Sequence, residues 1–199
     1  MQFRTAFQIN AGLGAGNIGD SLAAASLWRA LPSDFQLHVG HFPPPSPPRM
    51  SLPSGYTFHS LASNPHENAW VRDMAGILPA APLWDAAWPL HFLAPRLQHF
   101  HDRGLPVDAV GVSVFPIHSE ESRALFADHF LPIRSWSVTD TASLAHLRAL
   151  GVSDSRITLG ADWNWLHPAT NEHDAWAAEL WTSLGIDPAR PLLIVNASG

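Results

Sequence analysis

Residues 5–31 read TAFQINAGLGAGNIGDSLAAASLWRAL, and the fold class turns on them. Thr5–Asn10 is a short, mostly apolar run that reads as a buried strand. Gly12–Gly19 is a glycine-rich loop. Asp20–Ala30 follows with Leu22, Ala25, Ser26 and Leu27 at helical spacing. Strand, glycine loop and helix in that order open a βα unit. At such a junction backbone N–H groups and the helix dipole favour an anion or a polar ligand. Gly14-Ala15-Gly16-Asn17-Ile18-Gly19 fits G-x-G-x-x-G. A dinucleotide site also needs a carboxylate closing the second strand, to hold a ribose. That strand ends Leu37-His38-Val39-Gly40-His41, and Asp34 stands at its opposite end, so NAD is not expected. A tight turn capped by Asp20, with no ligand, stays open as the plainer reading.

The pattern repeats along the chain. Further strands are expected at Asp34–Val39, Tyr56–Leu61, Ala109–Phe115, Ser135–Val138, Arg156–Leu159 and Pro191–Asn196. Helices are expected at Trp88–Arg103, Ser119–Phe130, Thr141–Leu150 and His173–Leu184, the last two closed by Gly151 and Gly185. Residues 41–55 form a proline-rich loop that cannot be helical. Residues 64–85 fit neither period. Alternating strands and helices predict an α/β fold: a Rossmann-like parallel sheet with helices on both faces. Residues 1–186 form that domain. Residues 187–199 read as a linker and the first strand of a second, truncated domain, because PLLIVNASG is an apolar run leaving into small residues.

Composition narrows the function. Of 199 residues 46% are hydrophobic, enough for a core, and the net charge is −6. All eleven basic residues are arginines, scattered along the chain, which argues against a nucleic-acid surface. Cysteine is absent, so disulfides and thiolate chemistry are excluded. No apolar run reaches membrane-span length and no signal-peptide layout opens the chain, so a cytoplasmic protein is expected. The twelve histidines show no metal-ligand spacing, and no metal is expected.

Several residues can carry chemistry. Asp20 serves equally as a helix cap or as a base facing a sugar hydroxyl, and Asn17 as a sugar ligand or a left-handed turn residue. Asp140 follows a strand and opens a helix, which a capping role already explains. Asp162 stands beside Trp163 and Trp165, which suit a sugar ring or a core. His118, after the fourth of these strands, is the histidine best placed for acid–base work, and also reads as a solvated loop residue.

These segments, in order, resemble the polysaccharide pyruvyl transferase family. Asn17-Ile18-Gly19-Asp20 resembles its N-x-G-D signature. Gly111-Val112-Ser113-Val114-Phe115-Pro116 is similar to its strand leading into a G-x-G-P-like loop. Trp136–Ser143 with Leu147–Val152 resembles its S-V-R-D-x-x-S … L-x-x-L-G-V segment, and Leu159–Asp162 its T-x-D strand end. Thr139 stands where the family carries arginine. The loop after the fourth strand is cut to Phe115–His118, and the family's central glycine-rich segment remains only as Ala80–Asp85.

The resemblance implies the N-terminal half of a GT-B-type enzyme of bacterial cell-envelope polysaccharide synthesis. Such enzymes move the enolpyruvyl unit of phosphoenolpyruvate onto two sugar hydroxyls, forming a pyruvate ketal and releasing phosphate. No cofactor is implied; phosphoenolpyruvate is a co-substrate. The resemblance makes Asp20 and His118 catalytic candidates. It assigns Gly14, Gly16, Asn17, Gly19, Asp20, Ser21, Asp140 and Asp162 to the sugar acceptor. The partners are the acceptor, phosphoenolpyruvate and a missing C-terminal domain. Two alternatives stand: another GT-B glycosyltransferase using a nucleotide sugar, or a non-catalytic sugar-binding domain.

Overall fold

A computed structural model describes residues 5–8, 26–27, 29–31, 36–41, 56–60, 74–79, 82–85, 87–161 and 171–187. The chain divides into two units, Met1–His167 and Pro168–Gly199. In the first, β1 (Thr5–Gln8), β2 (Gln36–His41), β3 (Tyr56–Ser60), β4 (Ala75–Pro79), β6 (Val107–Val114), β7 (Ser135–Val138) and β8 (Ile157–Leu159) pair in the order β3-β2-β1-β4-β6-β7-β8. A two-residue strand, β5 (Pro82–Leu83), pairs with the end of β6. Every pairing is parallel, so all carboxyl ends lie along one edge. The α/β class expected from alternating strands and helices is therefore present. Each expected strand before residue 160 forms, with its ends shifted by a few residues. The expected strand at residues 191–196 lies outside the described residues, as does residue stretch 42–55.

The chain runs from β1 outward to β2 and β3, then crosses to the other flank of β1 as β4. Thr5 is in register with Gln36 on one side, and Ala6 with Ala75 on the other. This reversal is the topological switch of the sheet. It depends on β4, which occupies the stretch that shows no period in the sequence. Gly76 and Pro79 weaken that segment's strand propensity. Its two neighbours hold it instead, Gly76 standing opposite Val107 of β6. Gly76, Ile77 and Leu78 are all buried, so the segment shows a core strand's apolar run rather than an alternation.

β6 carries one extra residue. Val110 pairs with Ser137 and Val112 with Val138, leaving Gly111 as a bulge at φ 65°. A side chain is strained there and glycine is not. The bulge also resets the strand's phase. Before it Val107 and Ala109 are buried; after it Val112 and Val114 are.

Helix α1 (Ala87–His101) lays Leu90, Leu93, Ala94, Leu97 and Phe100 into the core. Their spacing is that of one helical face. Pro95 sits on the exposed side, where the break it makes in the backbone ladder meets solvent. Helix α2 (Glu120–Leu125) starts on Ser119, whose Oγ accepts the Ser122 N–H. The regular helix expected through Phe130 is not regular to its end: Phe126–Phe130 widens into a π-turn. There Leu131 N–H donates to Phe126 O at 2.8 Å, five residues back. The wide turn leaves Phe126 and Phe130 stacked with ring centroids 5.6 Å apart, and Phe126 stacked in turn on Trp136 of β7.

Helix α3 (Thr141–Ala149) ends as its glycine predicts. Gly151 takes φ 91°, its N–H donates to Arg148 O, and Val152 N–H donates to Leu147 O. That pair of bonds is the Schellman motif, with Val152 and Leu147 both buried beneath it. In the second unit α4 (Asn171–Ser183) closes on Gly185 at φ 66°. Among the described residues no helix is long and apolar enough to cross a membrane.

Candidate functional site

Ligands in open parallel sheets collect outside the carboxyl ends of the strands. At that edge the described residues make two carboxylate-centred clamps, and a largely apolar cavity adjoins the loop after β6.

The first clamp is Asp85, just past β5. Its Oδ2 accepts the backbone N–H of His118 at 2.8 Å and of Ser119 at 2.9 Å. Its Oδ1 accepts the Ser119 hydroxyl at 2.6 Å. One carboxylate thereby fixes the loop after β6 and the start of α2. The Ser119 hydroxyl, followed by the two backbone N–H groups, holds the Asp85 carboxyl far below the ordinary carboxylate range. A group so depressed stabilises the folded state above its unfolded pKa and loses that contribution as pH falls. Relative to an ordinary Asp at 3.8, the loss runs downward from about pH 5. Asp85→Asn is expected to flatten the acid limb of stability. Urea midpoints of both proteins between neutral pH and about pH 3 check this. Equal slopes in the two proteins would detach Asp85 from acid sensitivity.

The second clamp is Asp140, the cap of α3. It accepts the Ser143 N–H (2.8 Å), the Ser143 hydroxyl (2.9 Å) and the Thr139 hydroxyl (2.8 Å). Because Thr139 gives its proton to Asp140, the 2.8 Å contact between Thr139 and Ser113 has Ser113 as donor. Ser143 Oγ in turn accepts the Val114 N–H at 2.9 Å. The chain of bonds joins β6 beyond its bulge to the β7–α3 turn. The Ser143 N–H leads the donors that pull the Asp140 carboxyl below its ordinary value. A carboxylate that accepts this many bonds is a weak base and a good structural anchor.

The cavity, about 160 Å³, lies beside the loop after β6 and is lined by Pro116, Ile117, His118, Arg123, His146, Ala149 and Leu150. His118, a catalytic candidate from the sequence, is thus exposed at the carboxyl edge, its backbone tied to Asp85, and it is one of the residues lining this cavity. Asp140 stands at the end of the adjacent strand, in a separate hydrogen-bond network. Gly14, Gly16, Asn17, Gly19, Asp20, Ser21 and Asp162 lie outside the described residues. Among the described residues no three His, Asp or Glu side chains converge as a metal-binding group.

Sequence reasoning passed over Asp85, Ser143, Arg123 and His146 as site residues. Ser143 alone left a signal, at the third helical position after an aspartate cap. Asp85 meets partners 33 and 34 residues away, which no local pattern announces.

No protein-family model, no curated protein and no solved structure matches this chain.

Proposed function

We propose that this chain is the acceptor-side half of a GT-B-type transferase that moves a pyruvyl unit from phosphoenolpyruvate onto sugar hydroxyls, forming a ketal and releasing phosphate. The observation that supports the reading is the strand order. The switch lies between β1 and β4. The sequence directly beyond β1 carries Asn17-Ile18-Gly19-Asp20, resembling the N-x-G-D signature. The loops after β6 and β7, with Phe115–His118 and Thr139–Asp140, leave the same edge. Asp20 would accept from, or deprotonate, a sugar hydroxyl; Asn17 would orient it; His118 would supply or take a proton.

A second reading, a sugar-binding domain without catalysis, is favoured by the clamps. Asp85 and Asp140 are both committed to backbone and hydroxyl donors, which leaves neither as a ready base. A nucleotide-sugar glycosyltransferase is the remaining alternative and shares the GT-B frame.

Calorimetric titration with a panel of cell-surface saccharides tests the proposal. Asp20→Ala is expected to weaken binding about tenfold or more, since it removes a charged hydrogen-bond partner, and Asn17→Ala by a smaller factor. Unchanged affinity in both folded variants would remove the loop from the site. Phosphate release from phosphoenolpyruvate, dependent on the same saccharide, separates transfer from binding alone.

A further inference from the structure

We infer that Asp85 is a positioning residue for His118: its carboxylate fixes the backbone on both sides of His118 and so sets where the imidazole stands at the carboxyl edge. This rests on the transferase reading in one respect, that His118 is the group that moves a proton.

Residues 115–119 join β6 to α2, and the chain at β5 runs beside both ends of that loop. At the first end the Phe115 N–H donates to Leu83 O at 2.8 Å. At the second, Asp85, two residues further along, accepts the N–H groups of His118 and Ser119. Both bonds go to the same oxygen, Oδ2, at 2.8 Å and 2.9 Å. The two peptide units that flank the His118 Cα are therefore held to one atom. The unit before His118 is held on its other side as well, because Ile117 O accepts from Arg123 Nε at 3.0 Å. A peptide unit is planar, so a bond on each side fixes its orientation. Ile117 itself is 3% exposed and seats the loop on the core. With the backbone held, the imidazole is left a few staggered rotamers.

Helix capping does not account for this arrangement. α2 already has its cap in the Ser119 hydroxyl, which accepts the Ser122 N–H. Glu120 and Glu121 in the first turn suit its positive end. Asp85 Oδ1 orients the capping hydroxyl at 2.6 Å, but the bond to the His118 N–H lies outside the helix. Core packing does not account for it either, since Asp85 is half-buried and His118 exposed. What Asp85 adds is a fixed place for His118. A misplacement of about 1 Å can cost about a hundredfold in rate, so a proton-transfer group gains from being held before the substrate arrives.

The test uses the full chain, followed by NMR and by phosphate release from phosphoenolpyruvate with the saccharide panel. By NMR, Asp85→Ala is expected to speed exchange of the His118 and Ser119 amide protons about tenfold or more, and to shift the His118 ring signals. In turnover it should lower kcat about tenfold or more, with little change in KM for the saccharide. Asp85→Asn keeps an acceptor for the two N–H groups and should fall between alanine and the parent. It also carries the test if circular dichroism shows the alanine variant unfolded. In a His118→Ala background, adding Asp85→Ala should lower kcat no further, because Asp85 acts through His118. Asp108→Asn removes a comparable clamp at the amino edge of the sheet, where Asp108 accepts from Arg134 Nε at 3.0 Å and from the Ser135 hydroxyl at 2.6 Å. That variant should keep the parent's kcat and His118 signals. Folded Asp85 variants with the parent's amide exchange and ring signals would overturn the inference, as would an equal loss of kcat with and without His118. A parent chain that releases no phosphate overturns the transferase reading alone, and the NMR result then decides whether Asp85 sets His118.

Discussion

Trp136→Ala is expected to cost about 3–5 kcal/mol of stability, the usual range for deleting a fully buried indole. Trp136 is 1% exposed and lies in β7 between Ala109 of β6 and Ile157 of β8. Its ring stacks on Phe126 with centroids 5.9 Å apart, and Phe126 stacks on Phe130. The indole is thus the surface on which Phe126, the first residue of the π-turn, rests. Without it Phe126 loses a contact face, and a rigid sheet cannot collapse into the space. Trp136→Phe separates packing from polarity. The indole Nε1 is buried and has no hydrogen-bond partner among the described residues. An unpaired buried donor costs about 1–3 kcal/mol, so phenylalanine removes a penalty while keeping most of the ring. The phenylalanine variant is therefore expected much closer to the parent than to the alanine variant. Urea unfolding followed by circular dichroism measures both. A loss under about 1 kcal/mol for Trp136→Ala would show that the aromatic stack is not a support of this fold.

That stack shows where the sequence spoke and where it was silent. Ser135–Val138 reads as a strand because its apolar residues alternate, and both ends of α3 are legible because Asp140 and Gly151 act on their own neighbours. These are local effects. β4 is illegible for the opposite reason. A five-residue segment with a glycine and a proline has little strand preference of its own, and it becomes the sheet's pivot only because β1 and β6 flank it. The bulge at Gly111 and the π-turn are likewise adjustments to neighbours distant in sequence. The site divides in the same way. His118 and Asp140 stand out as residues that follow strands. Asp85 does not, because its role is to reach a loop more than thirty residues on.

Ser143→Ala is expected to cost about 1–3 kcal/mol, more than its one lost hydroxyl suggests. Ser143 is 2% exposed, and its Oγ is the junction between two elements. It accepts the Val114 N–H and donates to Asp140, each at 2.9 Å. Alanine leaves the Val114 N–H buried without a partner, and that desolvated donor is the larger part of the loss. Asp140→Ala removes the cap of α3 and is expected to cost about 1 kcal/mol. The two residues share one bond, so the double variant should lose less than the sum of the single losses. Urea midpoints of the four proteins give the cycle directly. A strictly additive cycle would mean that Ser143 and Asp140 act separately and that the network from Ser113 to Val114 is not one unit. A coupled cycle would show that the turn after β7 is held to β6 beyond its bulge. The Asp85 clamp acts from the other flank. Between them the carboxyl ends of β6 and β7 are fixed before any ligand arrives, the condition a binding edge needs if its side chains are to meet a ligand in place.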